Sequence, residues 1–194
     1  MASMILTGDT SGTITLSAPL VAGSNTVTLP AQTGTLQMLS QGTAIASTSG
    51  TAIDFTGIPA WAKKITVMFS GVSTSGTTNM LIQLGSSTIT KTGYVGVGTS
   101  YNTTAITTTN YTSGFGIGSS NQATATLTYG HCIFVNVSAN LWVGNGMFGL
   151  STSTSHVTAG GLPTLANVLD RVRITTTNGT DTFDAGTINI LYEG

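Results

Sequence analysis

The feature that most constrains this chain is a short run, Lys64 to Ser70, in which every second residue is large and apolar. Ile65, Val67 and Phe69 would lie on one face of a β-strand, because successive strand side chains point to opposite faces. Pro59, a few residues earlier, fixes its own φ and lacks a backbone donor, so any preceding strand must end there. The sequence therefore predicts a strand with one buried face, entered through a sharp corner.

Composition extends the β prediction to the whole chain. About a fifth of the 194 residues are Thr, which is β-branched and favours strands. The chain has 25 Gly and only 4 Pro, a balance that suits many tight turns between short strands. No window of helical length shows apolar i, i+3, i+4 spacing free of Gly and β-branched runs. We therefore predict an all-β protein.

Between residues 43 and 194 the candidate strands are short and separated by Gly, Ser and Asn turns. That spacing predicts one antiparallel β-sandwich, jelly-roll-like, over residues 43–194. An Asn178-Gly179 pair predicts a turn between the last two strands. Two segments, Thr99 to Gln122 and Ser151 to Thr158, have loop composition and are expected outside the strands. The predicted strands are Ala52–Phe55, Lys64–Ser70, Asn79–Leu84, Gly93–Val97, Ala123–Tyr129, Cys132–Ser138, Leu141–Val143, Arg171–Thr176 and Thr187–Tyr192.

Residues 1–42 are predicted to form an N-terminal β arm that serves as an attachment module. Thr13 to Leu16 and Thr26 to Leu29 are short alternating strands, each followed closely by a proline. Two such strands cannot bury enough surface to be stable alone, so the arm requires a partner. The predicted attachment or oligomer contacts are Ile14, Leu16, Val27 and Leu29.

Charge is unusually scarce in this chain. Charged residues make up 6% of it and the net charge is −1, whereas typical soluble domains contain about 25% charged residues. No cluster of Lys and Arg marks a nucleic-acid surface, and no apolar run approaches the roughly 18 residues of a membrane helix. We therefore expect no nucleic-acid partner and no membrane insertion. Interface cores are depleted in charge, so the composition suits faces that meet other subunits; a neutral, solvated Thr-rich sheet is the alternative.

Catalytic chemistry is not expected from these residues. Carboxylates are few, and Asp181 and Asp184 sit within one turn, where they suit capping of backbone donors or contact with a partner. A glycan-cleaving enzyme, the alternative class, would depend on that pair. His131 and Cys132 are neighbours on a predicted strand, so they point to opposite faces, and Cys132 is interpreted as a small core residue. We predict no enzyme activity, no cofactor and no metal site.

Four residues are candidate receptor or partner contacts: Tyr101, Tyr111, Phe115 and His156. They lie in the two segments of loop composition, which are rich in Tyr, Ser, Gly and Asn. Such loops are typical of binding surfaces, and aromatic rings beside amides suit glycan contact. Plain loop or interface packing is the alternative interpretation.

Three stretches resemble elements of tailed-bacteriophage virion proteins. The run DFTGIPAWAKKITVMFSGVS at residues 54–73 resembles a phrase of a β-rich virion domain, and DRVRITTTNGTDTFDAGTINILYE at residues 170–193 resembles its closing strands. Gly8 to Leu39 resembles a second phage element, a short β module. The resemblance covers both ends and about half of the chain, while the middle is similar in composition only.

This resemblance implies a structural protein on the surface of a phage virion, made in the cytoplasm of the bacterial host. In such proteins the N-terminal strands are ordered by wrapping with copies from other subunits, commonly as a homotrimer. A receptor-binding fibre usually has a long shaft and a tip, whereas this chain has one short arm and one domain. The preferred interpretation is therefore a subunit that decorates or cements the capsid by binding the major capsid protein. The alternative is a short tail fibre or tail-tip adhesin that joins a tail protein and binds a host surface glycan.

Overall fold

The computed structural model describes residues 3–7, 11–17, 37–119, 123–152, 154–162 and 164–194. They belong to two compact units, Met1–Leu36 and Gln37–Gly194. The boundary lies earlier than the predicted residue 42, because Leu39–Gln41 pairs with the last strand of the C-terminal unit. Within the described ranges every strand pairing is antiparallel, which confirms the all-β prediction. The same ranges contain no helix that is long and apolar enough to cross a membrane.

The N-terminal unit contains a β-hairpin of two strands, β1 (Ser3–Thr7) and β2 (Thr13–Ser17). Gly12 precedes β2 with a φ of +85°, a conformation that residues with a side chain rarely adopt. The sequence predicted β2 but not its partner β1. The other predicted arm strand, Thr26 to Leu29, lies outside the described residues.

Strands of the C-terminal unit form two sheets, which we call the large and the small sheet. Among the described residues the large sheet has nine strands, ordered β10-β9-β14-β13-β12-β6-β16-β3, and β4 also pairs with β16. The large sheet consists of β3 (Leu39–Gln41), β4 (Ile45–Ala46), β6 (Lys64–Thr74), β9 (Val95–Tyr101), β10 (Ile106–Tyr111), β12 (Thr128–Ser138), β13 (Leu141–Leu150), β14 (Ser155–Leu162) and β16 (Phe183–Glu193).

The small sheet has five strands among the described residues, ordered β11-β7-β15-β5, and β8 also pairs with β7. It consists of β5 (Ile53–Thr56), β7 (Met80–Ser86), β8 (Thr88–Ile89), β11 (Phe115–Gly116) and β15 (Arg171–Thr176). Buried residues of both sheets form one hydrophobic cluster, so the arrangement is the sandwich-like one that the sequence predicted.

The core is built from the alternating residues that the sequence indicated. Ile65, Val67 and Phe69 of β6 are at most 5% exposed. Val172 and Ile174 of β15 are fully buried and face them from the small sheet. One face of each of these strands therefore supplies the core, as the period-two pattern predicted.

Aromatic rings fill the middle of this core. Phe115 of β11 lies between Tyr94 and Phe134, with ring centroids 5.5 and 4.9 Å away, both in edge-to-face geometry. Phe69 and Phe148 form a third edge-to-face pair at 5.3 Å. Offset and edge-to-face arrangements are the favoured geometry of aromatic pairs. The rings join the two sheets, because Phe115 belongs to the small sheet and Phe134 to the large one.

The middle of the chain contains more strand than the sequence predicted. The supposed loop Thr99 to Gln122 contains the end of β9, all of β10 and β11, and the supposed loop Ser151 to Thr158 contains the start of β14. The two strands predicted between Ala123 and Ser138 are a single strand, β12. Loop-like composition was therefore a wrong guide in this region, because its Thr, Ser and Gly residues lie in paired strands.

Glycine explains much of this error. We expected glycines to serve turns, yet Gly144 lies inside β13 and faces the core. A Cβ atom built on Gly144 would stand 2.5 Å from Cδ1 of Phe134, its neighbour on β12. The absence of a side chain at Gly144 is what leaves room for the Phe134 ring.

The predicted Asn-Gly turn is present between β15 and β16. Gly179 has a φ of +68°, and Asn178 Oδ1 accepts hydrogen bonds from the backbone N–H groups of Thr180 (3.0 Å) and Asp181 (3.1 Å). The strands that it joins belong to different sheets. The turn is thus a connection between the two layers and not the hairpin that an Asn-Gly pair suggests.

Candidate functional site

The hairpin of the N-terminal unit has one apolar face that the folded chain leaves open to solvent. Its register pairs Met4 with Leu16 and Leu6 with Ile14, so the four side chains share one face. They are 49% to 65% exposed. The opposite face carries Thr and Ser side chains and Ile5. The hairpin is therefore amphipathic, and its apolar face is a candidate attachment surface.

Two of the predicted attachment residues, Ile14 and Leu16, lie on this apolar face. The other two, Val27 and Leu29, lie outside the described residues. Sequence reasoning missed Met4 and Leu6, although the alternation in SMILT was the signal that could have found them.

Three of the four predicted receptor contacts are buried, so the predicted contact surface is wrong for them. Tyr111 is 6% exposed, and Phe115 and His156 are each 1% exposed. Tyr111 and His156 point inward from the large sheet, and Phe115 is part of the aromatic core. Only Tyr101, which is half buried, remains accessible. A binding loop is therefore not what these residues form.

Tyr111 belongs to a buried polar cluster at one end of the sandwich. Its hydroxyl accepts a hydrogen bond from Asn79 Nδ2 and donates one to the carbonyl oxygen of Gly118, both at 2.8 Å. Burial raises the pKa of Tyr111, and the bond from Asn79 partly offsets that rise. The phenol remains protonated at neutral pH and connects β10 to Asn79, the residue before β7, and to the segment after β11.

His156 packs beside the same segment. Gly118 has a φ of +80°, and a Cβ atom there would stand 2.3 Å from Nδ1 of His156. Burial lowers the pKa of His156 to about 4, because the charged imidazolium would lose its hydration. The ring is therefore neutral at pH 7, and it serves as part of the packed interior.

Carboxylates at the ends of strands hold neighbouring loops. Asp181 Oδ2 accepts hydrogen bonds from the backbone N–H (3.1 Å) and the hydroxyl (2.7 Å) of Thr78, and Asp181 Oδ1 accepts one from Asn178 Nδ2 (2.6 Å). These bonds lower the pKa of Asp181. Asp184 accepts a hydrogen bond from the Ser73 hydroxyl. The predicted capping role is confirmed for Asp181, and Asp184 binds a side chain instead.

The outer face of the small sheet is charged. Asp54 of β5 forms two hydrogen bonds with Arg173 of β15, at 2.7 and 2.6 Å. Arg171 binds Asp170 in the same bidentate way, and this contact lowers the pKa of Asp170. Such partly exposed pairs contribute little stability but keep a surface hydrated. The small sheet therefore presents a face suited to water.

The outer face of the large sheet is the opposite in character. The register places Val95, Gly161, Val143 and Val135 in one row across β9, β14, β13 and β12. Of these, Val95 is 79% exposed, and Val143 and Val135 are each 43% exposed. We call the outward side chains of β9, β10, β14, β13 and β12 the outer apolar face.

Apolar side chains of this face also lie outside that row. Met147 of β13 is 59% exposed and lies between His131 and Val157 on the adjacent strands. No Asp, Glu, Lys or Arg occurs between Lys91 and Asp170, which is the part of the sequence that supplies these five strands. A groove of about 560 Å³ is lined by residues of β9, β10 and β14, among them Val95. The outer apolar face is therefore a second candidate interaction surface.

Cys132 and His131 take the positions that the sequence predicted. Cys132 is fully buried and His131 is exposed on the other side of β12. Burial raises the pKa of the Cys132 thiol, so it is not a thiolate at neutral pH. In the described parts of the chain, no three His, Cys, Asp or Glu residues are grouped as metal ligands would be.

Comparison with known proteins gives no match: no protein-family model matches the sequence, no curated protein matches it, and no solved structure matches the fold.

Proposed function

We propose that this chain is a non-catalytic structural subunit on the surface of a phage virion, attached to the capsid through its N-terminal hairpin. The resemblance of residues 54–73 and 170–193 to virion domains supports the assignment to a virion. It also supports localisation on the particle after synthesis in the host cytoplasm. The same resemblance favours a homotrimer. The major capsid protein is the proposed partner of the hairpin.

The observation that carries this proposal is the exposed apolar face of the hairpin. A two-stranded hairpin is marginally stable in water, and this one exposes Met4, Leu6, Ile14 and Leu16 on one side. Full burial of one such side chain contributes roughly 1.5–3 kcal/mol. Covering four that are already about half buried would contribute roughly 3–6 kcal/mol by the same relation. A partner surface would therefore both order the hairpin and be held by it.

A non-catalytic role agrees with the use of the carboxylates. Asp54 and Asp170 are paired with arginines, and Asp181 is occupied by Thr78 and Asn178. A glycan-cleaving enzyme needs two carboxyl groups facing each other across a cleft. These three carboxylates instead hold strands and loops together. The alternative of a tail fibre or adhesin is weakened because Tyr111, Phe115 and His156 are buried.

The test is attachment of the purified chain to phage particles that lack it. We expect the wild-type chain to co-sediment with heads and a label on it to spread over the head in electron micrographs. Ile14→Asp should reduce binding more than tenfold, because it places a charge on the apolar face. Thr15→Asp is the matched control, since Thr15 is exposed on the other face of the same strand. Equal binding by the two variants would refute attachment through the apolar face, and label on the tail would refute capsid decoration.

A further inference from the structure

We infer that the outer apolar face of the large sheet is the surface through which copies of this chain associate with one another. The inference deepens the proposed function, since it rests on the chain being a subunit of an assembly and names the contact surface. The hairpin is a separate surface, assigned above to the capsid.

The first argument is that β12 is apolar on both sides over residues 132–135. On β12, Cys132 and Phe134 are fully buried in the core, while Ile133 and Val135 point outward. A sheet with one solvated face normally alternates apolar and polar residues, whereas a sheet covered on both faces reads as a continuous apolar run. This part of β12 therefore has the sequence of a strand covered on both faces.

The second argument is area. Strands lie about 4.8 Å apart and rise about 3.3 Å per residue, so five strands of about seven residues span roughly 24 Å by 23 Å, or about 550 Å². Adding the adjoining β6 and β16 brings the footprint to roughly 800 Å² by the same spacing. A standard interface buries about 800 Å² on each partner. The outer apolar face therefore supplies about two thirds of a standard contact, and its border on β6 and β16 supplies the rest.

The third argument is charge, and it selects a second copy as the occupant. When copies associate through this face, its residues meet residues of the same face on a neighbouring copy, so any net charge there would face its like. The outer apolar face carries no Asp, Glu, Lys or Arg. The nearest charges are Lys64 and Glu193, an ion pair of 2.9 Å on β6 and β16 at the border of the face. An uncharged centre with charged residues at its border is the usual anatomy of an interface.

The charged outer face of the small sheet supports the same conclusion. Asp54, Arg171 and Arg173 lie there and would lose hydration if covered. The sandwich therefore has one face suited to water and one suited to a neutral apolar partner. Every copy of the chain presents that neutral face, so a second copy matches it in area and in charge.

The test is the oligomeric state of the full chain, measured without phage particles by sedimentation velocity over a range of concentrations. We expect the wild type to sediment as an oligomer, and the measured mass gives the number of copies. Met147→Lys and Val143→Lys should raise the dissociation constant more than tenfold, because each buries a charge at the centre of the contact. The matched control is Val168→Lys, at a loop residue that is 51% exposed and lies outside the face.

A measurement on the unmodified chain tests the inference even if the lysine variants fail to fold. Met147 and Met38 have similar exposures in the single chain, 59% and 54%. Peroxide should therefore oxidise Met147 at least tenfold more slowly than Met38 if copies cover the outer apolar face. Similar oxidation rates, a monomeric wild type, or an oligomer that both lysine variants leave intact would each overturn the inference.

The hairpin variant separates this inference from the proposed function. Ile14→Asp should lose binding to heads and keep its oligomeric state. If Ile14→Asp dissociates the oligomer while Met147→Lys does not, the copies associate through the hairpin and the inference is wrong. If association depends on Met147 but no variant or wild type binds heads, the contact surface stands and the capsid assignment fails.

Discussion

Acid should weaken the fold through His156 well before the carboxylates protonate. The ring is 1% exposed, and burial lowers its pKa to about 4, against 6.5 for an ordinary His. Its strand neighbours in the sheet are Phe148 and Ser100, and neither carries a charge that could stabilise an imidazolium. Unfolding therefore releases a ring that takes up a proton at a higher pH than the folded chain allows.

The direction and the size of the change in stability with pH follow from proton linkage. Because the pKa of His156 is lower in the folded chain, the unfolded chain binds more protons between pH 6.5 and pH 4, so stability falls as pH falls through that window. The full difference of about 2.5 pKa units corresponds to about 3 kcal/mol. At pH 4.5 the expected loss relative to pH 7.5 is about 2.5 kcal/mol. Asp170 and Asp181, whose pKa values are lowered, contribute their losses mainly below that pH.

The assay is urea unfolding at pH 7.5 and pH 4.5, at one protein concentration and one ionic strength. The wild type should lose about 2.5 kcal/mol of unfolding free energy between the two. His156→Gln removes the titrating ring, so its stability should differ little between them, whatever the substitution costs at pH 7.5. The matched control is His131→Gln at a concentration where the chain is monomeric, because the His131 ring is exposed on the outer apolar face of the single chain and its loss should leave the wild-type difference in place. If wild type and His156→Gln lose equal stability, the ring protonates inside the fold and the burial argument is refuted.

Two further predictions concern the core, and three substitutions test them. Gly98→Ala should destabilise the chain by about 3 kcal/mol and lower its melting temperature, because a Cβ there would stand 2.1 Å from a backbone carbonyl oxygen. Gly149→Ala, where nothing lies within 4 Å, should change the melting temperature little; equal effects would contradict the contact argument. Thr128→Val should raise the unfolding free energy by about 1 kcal/mol in chemical denaturation, because its buried hydroxyl lacks a hydrogen-bond partner. A loss of stability in that variant would mean that the hydroxyl is satisfied.

The strands that the sequence predicted well are those with one polar and one apolar face. Arg171–Thr176 was predicted with the bounds that it has in the structure, since Val172 and Ile174 alternate with arginines that remain at the surface. The same pattern identified the core residues of β6. The buried face of such a strand can be predicted from its local sequence, because apolar and polar residues alternate with a period of two.

The middle strands could not be predicted in this way, because their burial depends on residues distant in sequence. The inward position of Gly144 has no room for a side chain because the Phe134 ring lies over it, and Phe134 in turn packs on Phe115 of the other sheet. His156 and Tyr111 read as loop residues, since polar and aromatic side chains among Ser and Gly are common in binding loops. Their inward positions follow from the strand pairing, which composition does not reveal.

Of the two candidate surfaces, the sequence predicted half of the residues on the hairpin face and missed the outer apolar face. Ile14 and Leu16 were predicted as attachment residues and lie on the exposed hairpin face, but the paired strand that supplies Met4 and Leu6 was not predicted. The outer apolar face was missed because the loop-like composition of residues 99–122 and 151–158 predicts no strand there. Its signal is nevertheless present in the sequence, in the absence of charge between Lys91 and Asp170.

The scarcity of charge in this protein is therefore a matter of position as well as amount. The arginines and Asp54 lie on the outer face of the small sheet, and Lys64 and Glu193 lie at the border of the outer apolar face. A chain that stayed monomeric in water would gain solubility from charges spread over both faces. This chain places none over the five strands from β9 to β14 that form the outer apolar face, and its hairpin carries no charge in β1 or β2. Two uncharged apolar surfaces on separate units are what a subunit needs if it contacts both its own copies and another protein.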